Sequence, residues 1–273
     1  MLFDPESVRA FEHAGWQRAA AAYDATFAHA TAPFIEGLLD ASVVAAGAKV
    51  LDVCCGTGIG TAAAAARAAQ PIGFDFSPAM LSQARHQYPQ QPFEEGDAEA
   101  LPYAEKSFDA VVSNFGVHHV PRPEKALAEA FRVLRPGGRI ALTTWAAPTE
   151  NIAWRLLFDA ICEHGHPNAA KTPPSGGNLG SVEATRSLLR AAGFAEIRAT
   201  PVCREWRVTD PREIVTALAC GTVRTAAPLA TQPAAALPAI EAAVVRAAAQ
   251  YRRGAGYAVP IVAILASGTK SPA

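Results

Sequence analysis

Val50-Leu51-Asp52-Val53-Cys54-Cys55-Gly56-Thr57-Gly58-Ile59-Gly60 is the stretch on which the reading of this chain turns. Apolar residues suited to a buried strand run into a carboxylate, then a glycine-spaced loop, then the alanine-rich run from Thr61 to Ala69. Strand, tight loop and helix in that order bring a small ligand against a helix N-terminus. Glycines in the loop remove the Cβ atoms that would hold a ligand off the backbone, and they permit positive φ. Many nucleotide sites share such spacing, so the surroundings decide. Asp75 lies 19 residues after Gly56, at a second apolar run, and Gly96-Asp97-Ala98 follows a third.

Outward from that stretch, strands alternate with helices. Lys49 to Val53, Ile72 to Phe76, Pro92 to Glu95, Asp109 to Asn114 and Arg139 to Trp145 read as strands. The near-continuous apolar character of the first fits a parallel sheet covered on both faces. Ser77-Pro78 opens a helix, serine as N-cap and proline at the first helical position. Glu124 to Leu134 is a helix with Leu127, Phe131 and Leu134 on one face, and Pro136-Gly137 suits the centre of a type II turn. This alternation predicts an α/β, doubly wound sheet. Residues 5 to 40 read as two or three helices, with Trp16, Tyr23 and Phe27 on one face. After Trp145 come a helix over Asn151 to Glu163, a Pro- and Gly-rich loop over Gly165 to Gly180 that a ligand would order, and a short helix capped by Ser181. Long strands follow at Ala195 to Val208 and Tyr257 to Ser267, with helices at Asp210 to Cys220 and Ala239 to Arg253 between them.

The bulk composition narrows the function. Of 273 residues, 50% are hydrophobic and 18% charged, enough apolar material for one large α/β domain. With 24 basic and 25 acidic side chains the net charge is −1, without the basic excess of a nucleic-acid binder. No charged n-region followed by an apolar run opens the chain, and no stretch reaches the about 18 apolar residues of a membrane span. Five cysteines without a CxxC pair fit reduced thiols, so the expectation is a soluble cytoplasmic protein.

Val50 to Gly60, Gly73-Phe74-Asp75-Phe76-Ser77-Pro78-Ala79-Met80-Leu81, Gly96-Asp97-Ala98, Phe108 to Asn114 and Leu134-Arg135-Pro136-Gly137-Gly138 occur in one order. In this the chain resembles the class I S-adenosylmethionine-dependent methyltransferases, of the small-molecule group that includes the ubiquinone/menaquinone-type enzymes. The resemblance is strong over residues 40 to 147 and holds only in outline over the last third. It implies a Rossmann-like seven-stranded sheet, mostly parallel, whose last two strands form an antiparallel hairpin. It also implies a single domain over residues 1–273: a helical cap (1–40), a cofactor-binding core (41–147) and substrate-side insertions (148–180 and 209–255).

The cofactor implied is S-adenosyl-L-methionine, with S-adenosyl-L-homocysteine as product. Asp52, at a strand's C-terminal end, suits its ammonium, and the amides of Gly56 to Gly58, with Thr57 and Cys54, allow close approach. Asp75 suits the ribose diol. By resemblance Gly96, Asp97 and Ala98 clamp the adenine, Phe76 and Met80 wall it, and Asn114 and Phe115 lie above the methionine moiety. The methyl group arrives activated, so the protein mainly aligns nucleophile, carbon and sulfur. A base is needed only for a protonated nucleophile, and His118 and His119 are the candidates, against a packing role. Trp16, Tyr23, Phe27 and Trp145 are the candidate substrate contacts. The expected partner is a small, partly apolar metabolite methylated on O, N or C; nucleic acid is not expected, and a homodimer is compatible.

Competing readings are weaker on their motifs. An NAD(P) oxidoreductase fingerprint needs glycine or alanine where Thr61 stands. Asn114-Phe115-Gly116 is not the Asn-Pro-Pro-aromatic signature of DNA adenine methylation. Protein methylation and a non-catalytic domain that binds the cofactor stay open. Cys162, Cys203 and Cys220 do not have the spacing of an arsenite-methylating site and read as small buried hydrophobes. No third ligand accompanies the histidine pair, so no metal is expected.

Overall fold

A computed structural model describes residues 3–168, 172–174 and 179–272. The sequence expectation for the 165–180 loop falls partly on residues 169–171 and 175–178, outside the described residues.

The helices are α1 (Pro5–Tyr23), α2 (Ala28–Thr31), α3 (Ile35–Ala41), α4 (Ile59–Ala66), α5 (Pro78–Gln87), α6 (Pro123–Val133), α7 (Ile152–His164), α8 (Val182–Ala191), α9 (Arg212–Cys220), α10 (Ala226–Ala230) and α11 (Leu237–Ala248). The strands are β1 (Lys49–Val53), β2 (Gln70–Asp75), β3 (Phe93–Glu95), β4 (Phe108–Asn114), β5 (Leu134–Trp145), β6 (Ala195–Val208), β7 (Arg252–Arg253) and β8 (Gly256–Thr269). They form one sheet in the order β3-β2-β1-β4-β5-β8-β6, with β7 paired to β8. β1 to β5 run parallel, and β8 lies antiparallel between β5 and β6. This is the doubly wound sheet expected, with β7 as a short addition that folds back on the start of β8.

Alternation along β1 divides its side chains between two cores. Val50 joins Ile35, Leu38 and Leu39 of α3 and Ala64 of α4. Leu51 and Val53 join Leu127 and Ala130 of α6 and Leu189 of α8 on the opposite face. Both faces are therefore covered, which accounts for the apolar run in the sequence. A third core sits under the insertions, where Trp154, Leu157 and Ile161 of α7, Ile214 and Leu218 of α9 and Val244 of α11 pack on Trp206 of β6 and Ile261 of β8.

Ser77 caps α5 by accepting from the Met80 amide, with Pro78 at the helix start. Pro136-Gly137 lies inside β5 instead of ahead of it. Gly137 takes φ +81°, and the pairing of β4 with β5 shifts register there, so the turn is absorbed as an irregularity of a longer strand. The common face expected of Trp16, Tyr23 and Phe27 ends at Tyr23, where α1 stops. Strand order reverses at β1, between β2 and β4, and the crevice at the C-terminal ends of such strands is where open α/β sheets bind ligands.

Candidate active site

Two adjoining cavities occupy that crevice. The larger, about 700 Å³, reaches Arg9, Trp16, Cys54, Asp75, Met80, Asp97 and His119; the smaller, about 390 Å³, reaches Asp52, Thr57, Ile59 and Gly60. Tyr23, Cys54, Gly56 and Asn114 line both, so the two form one elongated channel in the size range of small-molecule sites.

Three carboxylates mark its length. Asp52 is 2% exposed and accepts from Thr61 Oγ1 at 2.7 Å. Burial pushes its carboxyl up to about 7, with the Thr61 hydrogen bond opposing and the nearby Asp75 charge adding. Asp75 ends β2 and bridges two backbone segments: Oδ2 accepts from the Gly56 amide at 2.9 Å and Oδ1 from the Ser77 amide at 2.9 Å. Burial lifts its carboxyl to about 6 against the pull of those amides. Asp97 accepts from the Glu99 amide and pairs with Arg9 of α1 at 2.5 Å. Asp52 and Asp75 are thus buried carboxyls with no cation among the described residues within ion-pair distance, and a cationic ligand would favour their ionised form.

The backbone is strained where β1 and β4 end. Cys54 and Phe115 both take left-handed φ, +59° and +57°, although neither is glycine. Phe115 is held by an amide hydrogen bond to Thr143 Oγ1, which in turn donates to Asn114 Oδ1 at 2.7 Å. Burial raises the thiols of Cys54 and Cys55 well above their ordinary value, which leaves them protonated and unreactive.

Helix α1 is pinned across the channel at several points. Gln17 Oε1 accepts from Ser77 Oγ and the Ala79 amide, Thr57 Oγ1 donates to Asp24 at 2.5 Å, and Gln87 donates to the same carboxylate. Arg9 also reaches Glu99 at 3.4 Å. Trp16 and Tyr23 face the channel with ring centroids 6.1 Å apart, and burial raises the Tyr23 hydroxyl to about 12.

The expected site residues separate on this geometry. Gly96, Ala98, Phe76, Met80, Asn114 and Phe115 line the larger cavity with Asp75 and Asp97. Gly58 lines neither: at φ +85°, a Cβ there would lie 2.7 Å from the Phe93 ring, so its glycine serves packing of the loop. Phe27 and Trp145 are also off the cavity walls. Phe27 is 4% exposed among Trp145, Trp154 and Trp206, and Trp145 stacks on Phe115 at 3.9 Å. A large aromatic side chain past the end of α1 gains more by entering the insertion core than by standing at a wet rim. The histidines separate too. His119 lines the cavity, whereas His118 is turned away, with Nδ1 unpartnered among the described residues and its imidazole held well below the usual value by burial, then by His119 and Arg224.

Sequence reasoning missed Glu12, which is 1% exposed and bonds His119 Nδ1 at 2.9 Å, and Arg224, whose Nε lies 2.6 Å from the other Glu12 oxygen. The signal for Glu12 was present: it shares the buried stripe of α1 with Val8, Gly15 and Ala19, where a charge is out of place. Nothing local marks Arg224 or Arg9.

Among the described residues no helix is long and apolar enough to cross a membrane, and no group of three His, Cys, Asp or Glu side chains could hold a metal ion.

Comparison with known proteins agrees with this fold. Residues 51–142 match a family described as "Methyltransferase domain". The demethylmenaquinone methyltransferase of Renibacterium salmoninarum is 41% identical over 112 residues, 41% of this chain and 47% of that protein. The chain thus spans about half the length of that relative. The demethylmenaquinone methyltransferase of Clavibacter sepedonicus is 35% identical over 166 residues, covering 56% of this chain and 67% of the relative. The crystal structure of YcgJ from Bacillus subtilis superposes with a TM-score of 0.58 at 19% identity, over 88% of this chain and 98% of that one, a likeness of fold. Sheet order, the carboxylates at the strand ends and the similarity to the Clavibacter protein over two thirds of its length converge, and this chain belongs to the class I S-adenosylmethionine-dependent methyltransferases.

Proposed function

We propose that the chain transfers the methyl group of S-adenosylmethionine to a small, partly apolar acceptor. The observation that carries this is the row of three carboxylates along one channel, at the ends of β1 and β2 and after β3. The methyl donor has three polar groups to place: an ammonium, a ribose diol and an exocyclic amine. Asp52 would take the ammonium, Asp75 the diol and Asp97 the amine, with Gly56 and Thr57 closing on the amino-acid end and Phe76, Met80 and Ala98 on the purine. Asn114 and Phe115 would flank the sulfonium. Arg9, now on Asp97, would yield part of that carboxylate to the amine.

The donor supplies an electrophilic carbon, so the residues of this chain have to orient the acceptor in line with the carbon–sulfur bond and exclude water. Trp16 and Tyr23 would provide the apolar wall, supported from behind by Phe27 and Trp145. The proposed organisation is one domain, with α1 to α3 as cap and the segments 148–180 and 209–255 as the acceptor side. The relatives' name indicates a quinone-type ring as acceptor, and the aromatic wall supports the same class here.

Calorimetric titration with S-adenosylhomocysteine, with NADH as control, tests this reading. Binding of the former alone at micromolar or tighter affinity is expected; binding of NADH alone, or of neither, would refute it.

A further inference from the structure

The cluster around Glu12 joins three segments far apart in sequence. Glu12 comes from α1, His119 from the turn after β4, and Arg224 from the insertion between α9 and α10. Glu12 is 1% exposed, so burial alone would raise its carboxyl. His119 and Arg224, by charge and by contact, bring it below the ordinary carboxylate value instead. The Arg224 contact is an ion pair without hydrogen-bond alignment, and Arg224 also donates from Nη1 to the Pro173 carbonyl at 2.9 Å and lies 5.8 Å over the Phe11 ring. The insertion comes this close because Gly15 leaves room for Val223, one residue before Arg224; a Cβ at Gly15 would lie 2.3 Å from it.

An ionised carboxylate only accepts, so in the neutral form of His119 the contact places the proton on Nδ1 and leaves Nε2 its lone pair. Among the described residues Nε2 makes no hydrogen bond, and the ring borders the larger cavity, which Asn114 and Phe115 also line. Trp16 meets the ring edge-on at 4.9 Å and His118 lies against it at 4.1 Å, which blocks rotation of the imidazole. The Glu12 carboxylate, 2.9 Å from Nδ1, would stabilise an imidazolium at His119.

We propose that Glu12 and Arg224 are positioning residues that hold His119 as the base of the reaction, and that the acceptor therefore carries a proton on its nucleophilic group, as a phenol or hydroquinone does. This rests on the methyl-transfer reading above. For each turnover one acceptor proton passes to His119 Nε2, and a bond forms from the acceptor to the methyl carbon. The carbon–sulfur bond breaks with its electron pair going to sulfur. The positive charge lost from the sulfonium reappears on the imidazolium and leaves to water. A neutral amine acceptor would present its lone pair unaided and would shed its proton after transfer, so it would not call for a base held in this manner. A purely structural role is the competing account, but a buried ion pair is a poor stabiliser compared with apolar packing of similar volume. Placing one on the α1 stripe is better explained by the ring it orients.

The test is long-range ¹H–¹⁵N NMR of the full chain saturated with S-adenosylhomocysteine, with His119 assigned by its loss in His119→Gln. In the parent the Nδ1–H tautomer is expected. In Glu12→Gln that preference should be lost, because the amide can donate as well as accept, while affinity for S-adenosylhomocysteine stays within about twofold. Turnover of demethylmenaquinol or naphthalene-1,4-diol in Glu12→Gln should fall about 10²-fold in kcat with KM little changed, and Glu12→Asp should recover part of it. An Nε2–H tautomer in the parent overturns the proposal and needs no variant to fold. So does full kcat in Glu12→Gln, and a parent that turns over neither hydroxyaromatic removes the acceptor class. Absence of S-adenosylhomocysteine binding to the parent would instead overturn the methyl-transfer reading beneath it.

Discussion

Replacing Asp52 by asparagine should stabilise the ligand-free protein while weakening the site. Asp52 is 2% exposed, and burial raises its carboxyl from 3.8 to about 7. The folded state therefore binds a proton that the unfolded chain has released. The associated stability is fully present below pH 3.8 and is lost as pH rises to about 7. A shift of about three units corresponds to about 4 kcal/mol, of which about 2 kcal/mol falls between about pH 5.5 and about pH 8. Asparagine keeps an oxygen for the Thr61 hydroxyl and has no charge to bury. Urea unfolding of both proteins at these two pH values isolates the effect, since other titrations cancel in the double difference. The parent should lose about 2 kcal/mol more than Asp52→Asn on going to the higher pH. At about pH 8 the variant should also bind S-adenosylhomocysteine about tenfold more weakly, having lost a charge-assisted hydrogen bond. Parallel pH dependences would show that Asp52 is ionised without cost in the free protein and would refute the reasoning.

Three further outcomes are expected. Asp75→Ala should reduce S-adenosylhomocysteine affinity by more than about 1 kcal/mol in calorimetry, because a buried carboxylate acceptor is removed; unchanged affinity would misplace the ribose. Gly15→Ala should destabilise the fold by about 1–3 kcal/mol in denaturant titration, since its Cβ would lie 2.3 Å from Val223 Cγ1 and the insertion must shift. Trp206→Ala, at a site 1% exposed in the insertion core, should cost about 3–5 kcal/mol of stability yet leave S-adenosylhomocysteine affinity within about twofold; a large loss of affinity would tie that core to the channel.

The parts of this protein legible in its sequence are those set by neighbours along the chain. The strand–loop–helix at Val50 to Gly60, the Ser77 cap and the acidic residues at strand ends depend on side chains within a few positions of one another, so periodicity and turn chemistry expose them. The alternating strands likewise imposed a doubly wound sheet and therefore a crevice at their C-terminal ends. Tertiary structure alone decided which rim residues meet. Phe27 and Trp145 carry the same aromatic signal as Trp16 and Tyr23, yet they turn into the insertion core, because that core is assembled from α7, α9, α11, β6 and β8, all of them more than a hundred residues from Phe27. His118 and His119 are adjacent and chemically alike; a short helical turn after β4 sends one ring into the protein and the other to the cavity. Glu12 and Arg224 have no local relation at all. Their meeting is a product of packing between α1 and an insertion, and a side chain's partner across such a distance is set by the free energy of the whole fold, which no window of sequence contains.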